Sequence, residues 1–277
     1  MPSRSDEVGA VAARRGAPDP VVEIRDPEDQ RLADYMGLRH RGDRVDGFFV
    51  AESRLVVRRV VRAMPDAVRS LFVTPTVAEA LADVIAEIHA PVYVAPSAVL
   101  EQVVGFDLHR GALASIDRHP LPTVTEVLAG ARRVAVLERV NDHENLGVLF
   151  RNAAAFGVDA VLLDAESSDP LYRRAVRVSI GHVCTVPWTR YSTLSEIRDA
   201  GFVLCALTPS GDVTTDEYRW PDTCALMLGA EGPGLSDAAL AAADVHVRIP
   251  MRADVDSLNV ATAAAIAFYS ARDVSRR

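Results

Sequence analysis

From residue 133 onward the chain carries six short runs that are almost wholly apolar, at 134–138, 159–163, 183–187, 202–207, 224–229 and 245–249. A strand with one face in water alternates apolar and polar residues. A run such as Cys224-Ala225-Leu226-Met227-Leu228 does not alternate, so both of its faces must be covered. Between the runs lie stretches that read as helices, near 145–156, 170–180, 193–200, 235–243 and 257–272. Strands apolar on both faces and separated by helices specify a parallel sheet with helices packed on either side, an α/β architecture.

The front of the chain alternates in the same way with smaller elements. Strands are predicted at 48–51, 71–73, 92–94 and 112–116. A helix over 52–64 places Leu55, Val56, Val60 and Val61 at helical spacing. Thr76-Val77-Ala78-Glu79 reads as a capping box opening a helix that runs to about residue 88, and Ser97 reads as the cap of another. Residues 117–132 hold Pro120 and Pro122 and then a short helical stretch, the pattern of a linker. The expected organisation is therefore a tail over 1–25, a smaller α/β domain over 26–116, a linker over 117–132 and the larger domain over 133–277.

Composition bounds the function classes. Of the 277 residues 49% are hydrophobic, enough for a sizeable core. No apolar run reaches the roughly 18 residues of a membrane helix. The first twenty residues lack the apolar segment of a secretory signal, so the expected location is the cytoplasm. Cys184, Cys205 and Cys224 are odd in number and set among apolar residues, as reduced thiols in such a compartment would be. No spacing of His and Cys suggests a metal. The net charge of −8 argues against indiscriminate binding of nucleic acid. The thirty basic residues are all arginines, however, and they cluster at Arg39, His40, Arg41 and Arg44, at Arg54, Arg58, Arg59 and Arg62, and at Arg173, Arg174 and Arg177. Each cluster is either a solvated face or a local phosphate-binding patch.

Three loops at strand ends are candidates for a site, because ligands of open parallel sheets sit at the carboxyl ends of strands. In the first, 138–147, Asn145 is either an ordinary helix cap or a ligand contact. Arg151, six residues on, is either an exposed helix residue or an active group. In the second, Gly229-Ala230-Glu231-Gly232-Pro233-Gly234-Leu235-Ser236, the glycines allow close approach of backbone, and Glu231 is a lone carboxylate among them. The order differs from the dinucleotide fingerprint, which disfavours a nicotinamide enzyme. In the third, Ser257 reads as the cap of the last helix. Asn259 has poor helix propensity in an Ala-rich run, and is left to bind a polar ligand group with the free amides of the first turn.

Taken in order, N-x-G-x-x-x-R-x-A-x-x-F-G (145–157), G-x-E-G-x-G-L-S (229–236) and I-P-M-x5-S-L-N-V-A-x-A (249–263) resemble the three motifs of the SpoU/TrmH family of SPOUT RNA 2′-O-ribose methyltransferases. Arg177-Val178-Ser179-Ile180-Gly181 resembles a further segment of that family, and the likeness covers about 134–272. The front domain is similar to the substrate-binding domain many members carry. Where those often show His-Gln-Gly, this chain has His109-Arg110-Gly111.

The resemblance implies a knotted SPOUT-type sheet in which the C-terminal segment forms a trefoil knot, and a homodimer through the C-terminal domain. It implies S-adenosylmethionine as cofactor, with no metal and no membrane, and RNA as partner, ribosomal RNA ahead of tRNA. Carried over by residue, the cofactor pocket is Leu207, Thr208, Gly229, Glu231, Ile249, Met251, Ser257, Leu258, Asn259 and Ala261. The catalytic set is Arg151, Asn145, Glu231, Ser257 and Asn259. Arg151 cannot be a simple base, since a guanidinium stays protonated; stabilising a developing alkoxide or gripping a phosphate suits it better. His143, beside Asn145, is a candidate proton acceptor. Two rival readings are an RNA-binding module of the same fold without catalysis and a base methyltransferase. Retention of the polar residues of all three motifs weighs against the first, and the motif trio itself against the second.

Overall fold

The computed structural model describes residues 21–38, 47–107, 111–252 and 254–272. Its front half contains β1 (Val21–Glu23), β2 (Phe48–Glu52), α1 (Arg54–Ala63), β3 (Val68–Val73), α2 (Pro75–Ala80), α3 (Ala82–Ile85), β4 (Val92–Val94), α4 (Ser97–Val104) and β5 (Ala112–Asp117). These strands form a mixed five-stranded sheet in the order β1-β4-β3-β5-β2. After α5 (Val124–Leu128) come β6 (Arg133–Leu137), α6 (His143–Phe156), β7 (Ala160–Leu163), α7 (Arg173–Val178), β8 (Trp188–Arg190), α8 (Leu194–Asp199) and β9 (Val203–Leu207). The chain continues through β10 (Val213–Thr214), β11 (Cys224–Leu228), α9 (Asp237–Ala242), β12 (Val245–Arg248) and α10 (Val260–Ala271). The second sheet has seven strands in the order β10-β12-β9-β11-β6-β7-β8, and every pair is parallel.

The strand order decides where a ligand can sit. The chain lays β6, β7 and β8 side by side, then crosses back to β9, and β11 slots between β9 and β6. The loops leaving β12, β9, β11 and β6 thus emerge side by side at the carboxyl edge, on both sides of the reversal. Strands β6, β7 and β11 are buried at every residue, as their unbroken apolar runs require.

Helix α10 lies on one face of this sheet with Ala264, Ala267, Phe268 and Ala271 buried. Its small side chains let it lie close to α6, where Asn152 Nδ2 donates to the carbonyl of Ala261 at 2.9 Å. Trp220 Nε1 donates to Ser270 Oγ at 3.0 Å from the other flank. At its C-terminus the buried Arg133 Nε donates to the Ala271 carbonyl at 2.7 Å, satisfying an acceptor the helix leaves open. Gly147 permits the matching approach of α6 to α7: a Cβ there would stand 2.8 Å from the Ala175 carbonyl oxygen and 2.9 Å from Val178 Cβ.

Several local expectations are corrected. Residues 21–25, expected in the tail, carry β1 and the buried Ile24, and β1 pairs with β4; residues 1–20 lie outside the described residues. The helix expected from 76 to about 88 starts two residues earlier, with Thr74 as cap and Pro75 in its first turn, and breaks at Leu81 into α2 and α3. No capping box forms at 76–79. The real boxes are Thr123/Glu126 and Thr193/Glu196, whose S/T-x-x-E spacing was present in the sequence. Ser97 is the first residue of α4 rather than its cap, which is Pro96. The strand expected at 183–187 is a 3₁₀ turn over His182–Cys184, and the chain extends only at Trp188, after Pro187.

The two sheets share one hydrophobic cluster, which includes Val57 and Leu71 of the front half and Leu137, Phe150 and Phe268 of the rear. The segment between them is packed: Val124, Val127 and Leu128 of α5 are buried. Polar ties cross as well. Arg59 Nη1 donates to the Ile180 carbonyl at 2.5 Å, Arg173 pairs with Glu52 at 2.8 Å, and Arg118 pairs with Asp169 at 2.5 Å. Arg174 pairs with Glu144, and Arg58 and Arg62 with Asp83, so these cations of the expected patches are partly compensated. The cluster at Arg39–Arg44 lies outside the described residues, as do His109 and Arg110. No helix among the described residues is long and apolar enough to cross a membrane.

Candidate active site

Strand β6 ends at Leu137, and the loop that follows is held by side chains from the loop after β7. Arg139 N donates to Asp164 Oδ2 at 3.0 Å and Val140 N to Ser167 Oγ at 3.1 Å. Asp142 then caps α6, its carboxylate accepting from Asn145 N at 2.8 Å. Asn145 is therefore not the cap; its side chain is left free for other work.

The loop after β11 is tied to the same place. Glu138 accepts from both the amide and the hydroxyl of Ser236, each at 2.7 Å, which fixes the far end of 229–236 against the end of β6. Within the loop the chain doubles back, with Gly234 N donating to the Ala230 carbonyl at 3.0 Å. Gly229 lies so close to the returning strand that a Cβ there would stand 2.1 Å from Gly234 C and 2.2 Å from Leu235 N.

The third loop supplies the junction. Asn259, not Ser257, caps α10: its Oδ1 accepts from Ala261 N at 3.0 Å and from Thr262 N at 3.1 Å. With the oxygen so engaged, Nδ2 must face outward. It donates to Asn145 Oδ1 at 2.8 Å and to Glu231 Oε1 at 2.5 Å. One side-chain amide thus joins all three candidate loops while capping the helix behind it.

Beside this junction opens a cavity of about 500 Å³. Nine of the ten residues expected to line it do so: Leu207 and Thr208 from the end of β9, Gly229 and Glu231 from the second loop, and Ile249, Met251, Ser257, Leu258 and Asn259 from the third. Ala261 does not. It is buried, with its amide on Asn259 and its carbonyl on Asn152. Apolar walls at Leu228, Leu235 and Leu240 and the Pro209 ring complete the cavity; no motif flagged Leu240 or Pro209, because their place depends on which strand ends the topology brings together. A second cavity of about 320 Å³ adjoins the first through Ala230, Glu231, Pro233 and Val260, and includes Asn145. Glu138 and Asn152 were also missed. A carboxylate ending a buried strand was the available signal for Glu138.

Arg151 lines neither cavity. It is exposed on α6 and takes no partner among the described residues. Its charge is felt by His182, whose pKa is lowered first by burial and then by Arg59 and Arg151. His143 packs its ring on Tyr172 with centroids 4.1 Å apart, away from both cavity walls. Burial raises Cys205 to about 12 and Cys224 to about 11, so neither is a thiolate at neutral pH.

The SpoU rRNA Methylase family matches this chain over residues 132–269. An uncharacterized tRNA/rRNA methyltransferase of Mycobacterium tuberculosis strain H37Rv is 47% identical over 268 residues, spanning 90% of this chain and 91% of that protein. The chain belongs to the SpoU family. Among solved structures, an AdoMet-bound rRNA methyltransferase from Sinorhizobium meliloti has the same fold, at a TM-score of 0.77 and 24% identity over 91% of this chain and 97% of that one. An RNA 2′-O ribose methyltransferase superimposes at a TM-score of 0.70 and 25% identity, over 90% of this chain and 98% of that one. In this SpoU chain the segment that matches the family holds all three site loops and both cavities.

The Asn259 junction makes a prediction about stability. Asp is as good a cap as Asn, so Asn259→Asp keeps α10. It also replaces a donor by a carboxylate oxygen against Glu231 Oε1. Two facing carboxylates raise the folded-state pKa of the pair above the unfolded values. The variant is therefore destabilised where both ionise, and the penalty fades as pH falls through the raised values. Because the site is exposed, about 0.2–1 kcal/mol is expected at pH 7, with the gap to the parent closing near pH 4. Melting curves of both proteins across that range measure it; a gap that widens in acid overturns the junction.

Proposed function

We propose that the protein is an S-adenosylmethionine-dependent methyltransferase acting on a ribose 2′-hydroxyl of RNA, ribosomal RNA ahead of tRNA, in the cytoplasm. The observation that carries this reading is the Asn259 side chain, which links Asn145 and Glu231 at the edge of the 500 Å³ cavity. Support comes from the family and from the two structural neighbours, one AdoMet-bound and one an RNA 2′-O ribose methyltransferase.

The residues fit the cofactor. A planar base would lie among Leu207, Leu240, Ile249 and Met251, and the close packing of Gly229 against the backbone of Gly234 and Leu235 holds the loop that walls it. Ser257, Leu258 and the backbone of 229–231 would hold its polar parts. S-adenosylmethionine supplies a methyl group on a sulfonium, which makes the carbon electrophilic and the thioether a ready leaving group.

The chain's own residues have the harder task at the oxygen. A 2′-hydroxyl is a weak nucleophile until negative charge on it is stabilised. Asn145 and Glu231, joined through Asn259, would orient the ribose, and Arg151 would stabilise the developing oxyanion. Arg151 reaches neither cavity within one chain, which supports a site completed by a second copy. The proposed homodimer buries the outer face of α10, where Ile266 and Tyr269 are exposed and Tyr269 packs on Phe156 at 5.8 Å. In this reading residues 249–271 thread the trefoil knot, a rare exception to the unknotted rule. Residues 21–116, with β1 included, form the RNA-binding domain, 117–132 the linker and 133–277 the methyltransferase domain.

Two measurements test the reading. Mapping 2′-O-methyl positions in RNA from a strain lacking the gene and from its parent should reveal a position lost in the mutant. Calorimetry of the folded protein with S-adenosylhomocysteine should show saturable binding. Identical maps, or no heat at millimolar ligand, would overturn it.

A further inference from the structure

The smaller cavity, of about 320 Å³, contains a residue that none of the motif arguments uses. Arg139 lines it together with Asn141, Asp142, Asn145 and Glu231. Arg139 has φ 54, one of three residues other than glycine with positive φ among those described. A long side chain in that backbone region is strained, and strain of this kind persists where the surroundings impose it and function uses it. The surroundings do impose it: Glu138 N bonds the Leu228 carbonyl, Arg139 N bonds Asp164, and Val140 N bonds Ser167. Glycine would satisfy this turn with no strain. The arginine side chain is therefore not there for the turn.

An internal ion pair accounts for it only weakly. Arg139 Nε is buried and has no hydrogen-bond partner, the one such side-chain atom among the described residues. Its ion pair is long, with Glu138 Oε2 4.0 Å from Nη2, and both Glu138 oxygens already accept from Ser236. A guanidinium nitrogen removed from water without an acceptor is costly unless a ligand supplies one. The rest of the lining limits the ligand class. Asp142 and Glu231 each have one oxygen engaged, by Asn145 N and by Asn259 Nδ2, which leaves acceptors for hydroxyl groups. A cavity with a planar cation, two amides and acceptors for hydroxyls suits a sugar that carries a phosphate. A bare anion would face the two carboxylates, and an apolar ligand would leave the cation unmet.

We propose that this cavity is the subsite for the ribose-phosphate of the target nucleotide, with Arg139 holding the phosphodiester next to the reacting sugar. The inference rests on the function proposed above and adds to it a substrate contact outside the motif residues. The shared wall at Glu231 and Val260 places the bound sugar beside the cofactor cavity. Arg139 binds substrate here and takes no part in proton transfer.

Arg139→Gly is the informative variant, because glycine is the residue this backbone favours. Its melting temperature should equal or exceed the parent's, and its affinity for S-adenosylhomocysteine should be unchanged. Transfer of labelled methyl from S-adenosylmethionine to total RNA of a strain lacking the gene should show KM raised on the order of 10- to 100-fold, the loss expected for one charged hydrogen bond. Arg139→Lys should recover only part of it, since an ammonium lacks the planar fork. In a second arm, the folded protein with S-adenosylhomocysteine is titrated with the four nucleoside 3′-monophosphates and, separately, with the four nucleosides. The phosphate should improve binding in the parent and not in Arg139→Gly. If the parent labels RNA and Arg139→Gly labels it equally well, the subsite is wrong. If the parent labels no RNA, the function reading fails and the second arm decides the subsite alone: an Arg139-dependent preference for the phosphate supports it, and equal binding overturns it.

Discussion

Gly229→Ala is expected to weaken cofactor binding while leaving the protein folded. The added Cβ would stand 2.1 Å from Gly234 C, 2.2 Å from Leu235 N and 2.3 Å from the Gly234 carbonyl oxygen. All three are backbone atoms, so no side chain can swing aside, and the loop 229–236 must move as a unit. That loop is one wall of the 500 Å³ cavity and is anchored at Ser236 by both Glu138 oxygens. Moving it either narrows the cavity or breaks the anchor. Overpacking costs of about 1–3 kcal/mol correspond to a loss in S-adenosylhomocysteine affinity of roughly 5- to 150-fold, at 1.4 kcal/mol per factor of ten. Calorimetry on protein whose melting curve is still cooperative measures this. Unchanged affinity would mean that the cofactor does not touch this wall.

Arg151→Ala is expected to do the opposite: cofactor affinity nearly intact, kcat down on the order of 10²–10³, the loss seen when one oxyanion donor is removed. The guanidinium lies outside both cavities and is exposed, so its removal disturbs no packing. Arg151→Lys keeps the charge but not the fork, and should rescue poorly if ribose or phosphate is held by two parallel bonds. If lysine restores full activity, a point charge suffices. If alanine leaves kcat intact and raises only KM for RNA, the residue contributes uniform binding. The same variant tests the proposed dimer. Co-expressed Arg151→Ala and Gly229→Ala subunits, each impaired alone, should regain part of the activity if Arg151 serves the partner's site, because a mixed dimer then has one complete site. No recovery in a mixture that light scattering shows to be dimeric places Arg151 in its own subunit's site.

The expected placement of site residues was most accurate where a sequence feature acts through the backbone. Gly229 and the polar residues around it line the cavity because close approach and exposed amides are properties of short loops, read directly from residue type. It failed where a role depends on φ and ψ. Asn145 and Ser257 were both candidates for helix caps, yet Asp142 and Asn259 do the capping. Any Ser, Asn or Asp near a helix start can cap, and which one does depends on where the chain enters the helix. The consequence is functional: Asn145, free of the cap, accepts from Asn259.

The sequence by itself determined the parallel sheet. The unbroken apolar runs of β6, β7 and β11 cannot be stable with either face in water, so helices must cover both. It also determined the end of α6 at Gly157, where the chain turns left-handed. Strand order it could not determine. The insertion of β11 between β9 and β6 brings Glu138 to Ser236, and the packing of α10 on α6 and the sheet brings Asn259 to Asn145, over separations of 98 and 114 residues. Contacts at such range are chosen by the packing of whole elements on one another, and the hydrophobic effect that drives that packing is non-directional. Local patterning states which residues must be buried, while only the assembled sheet states which loops meet.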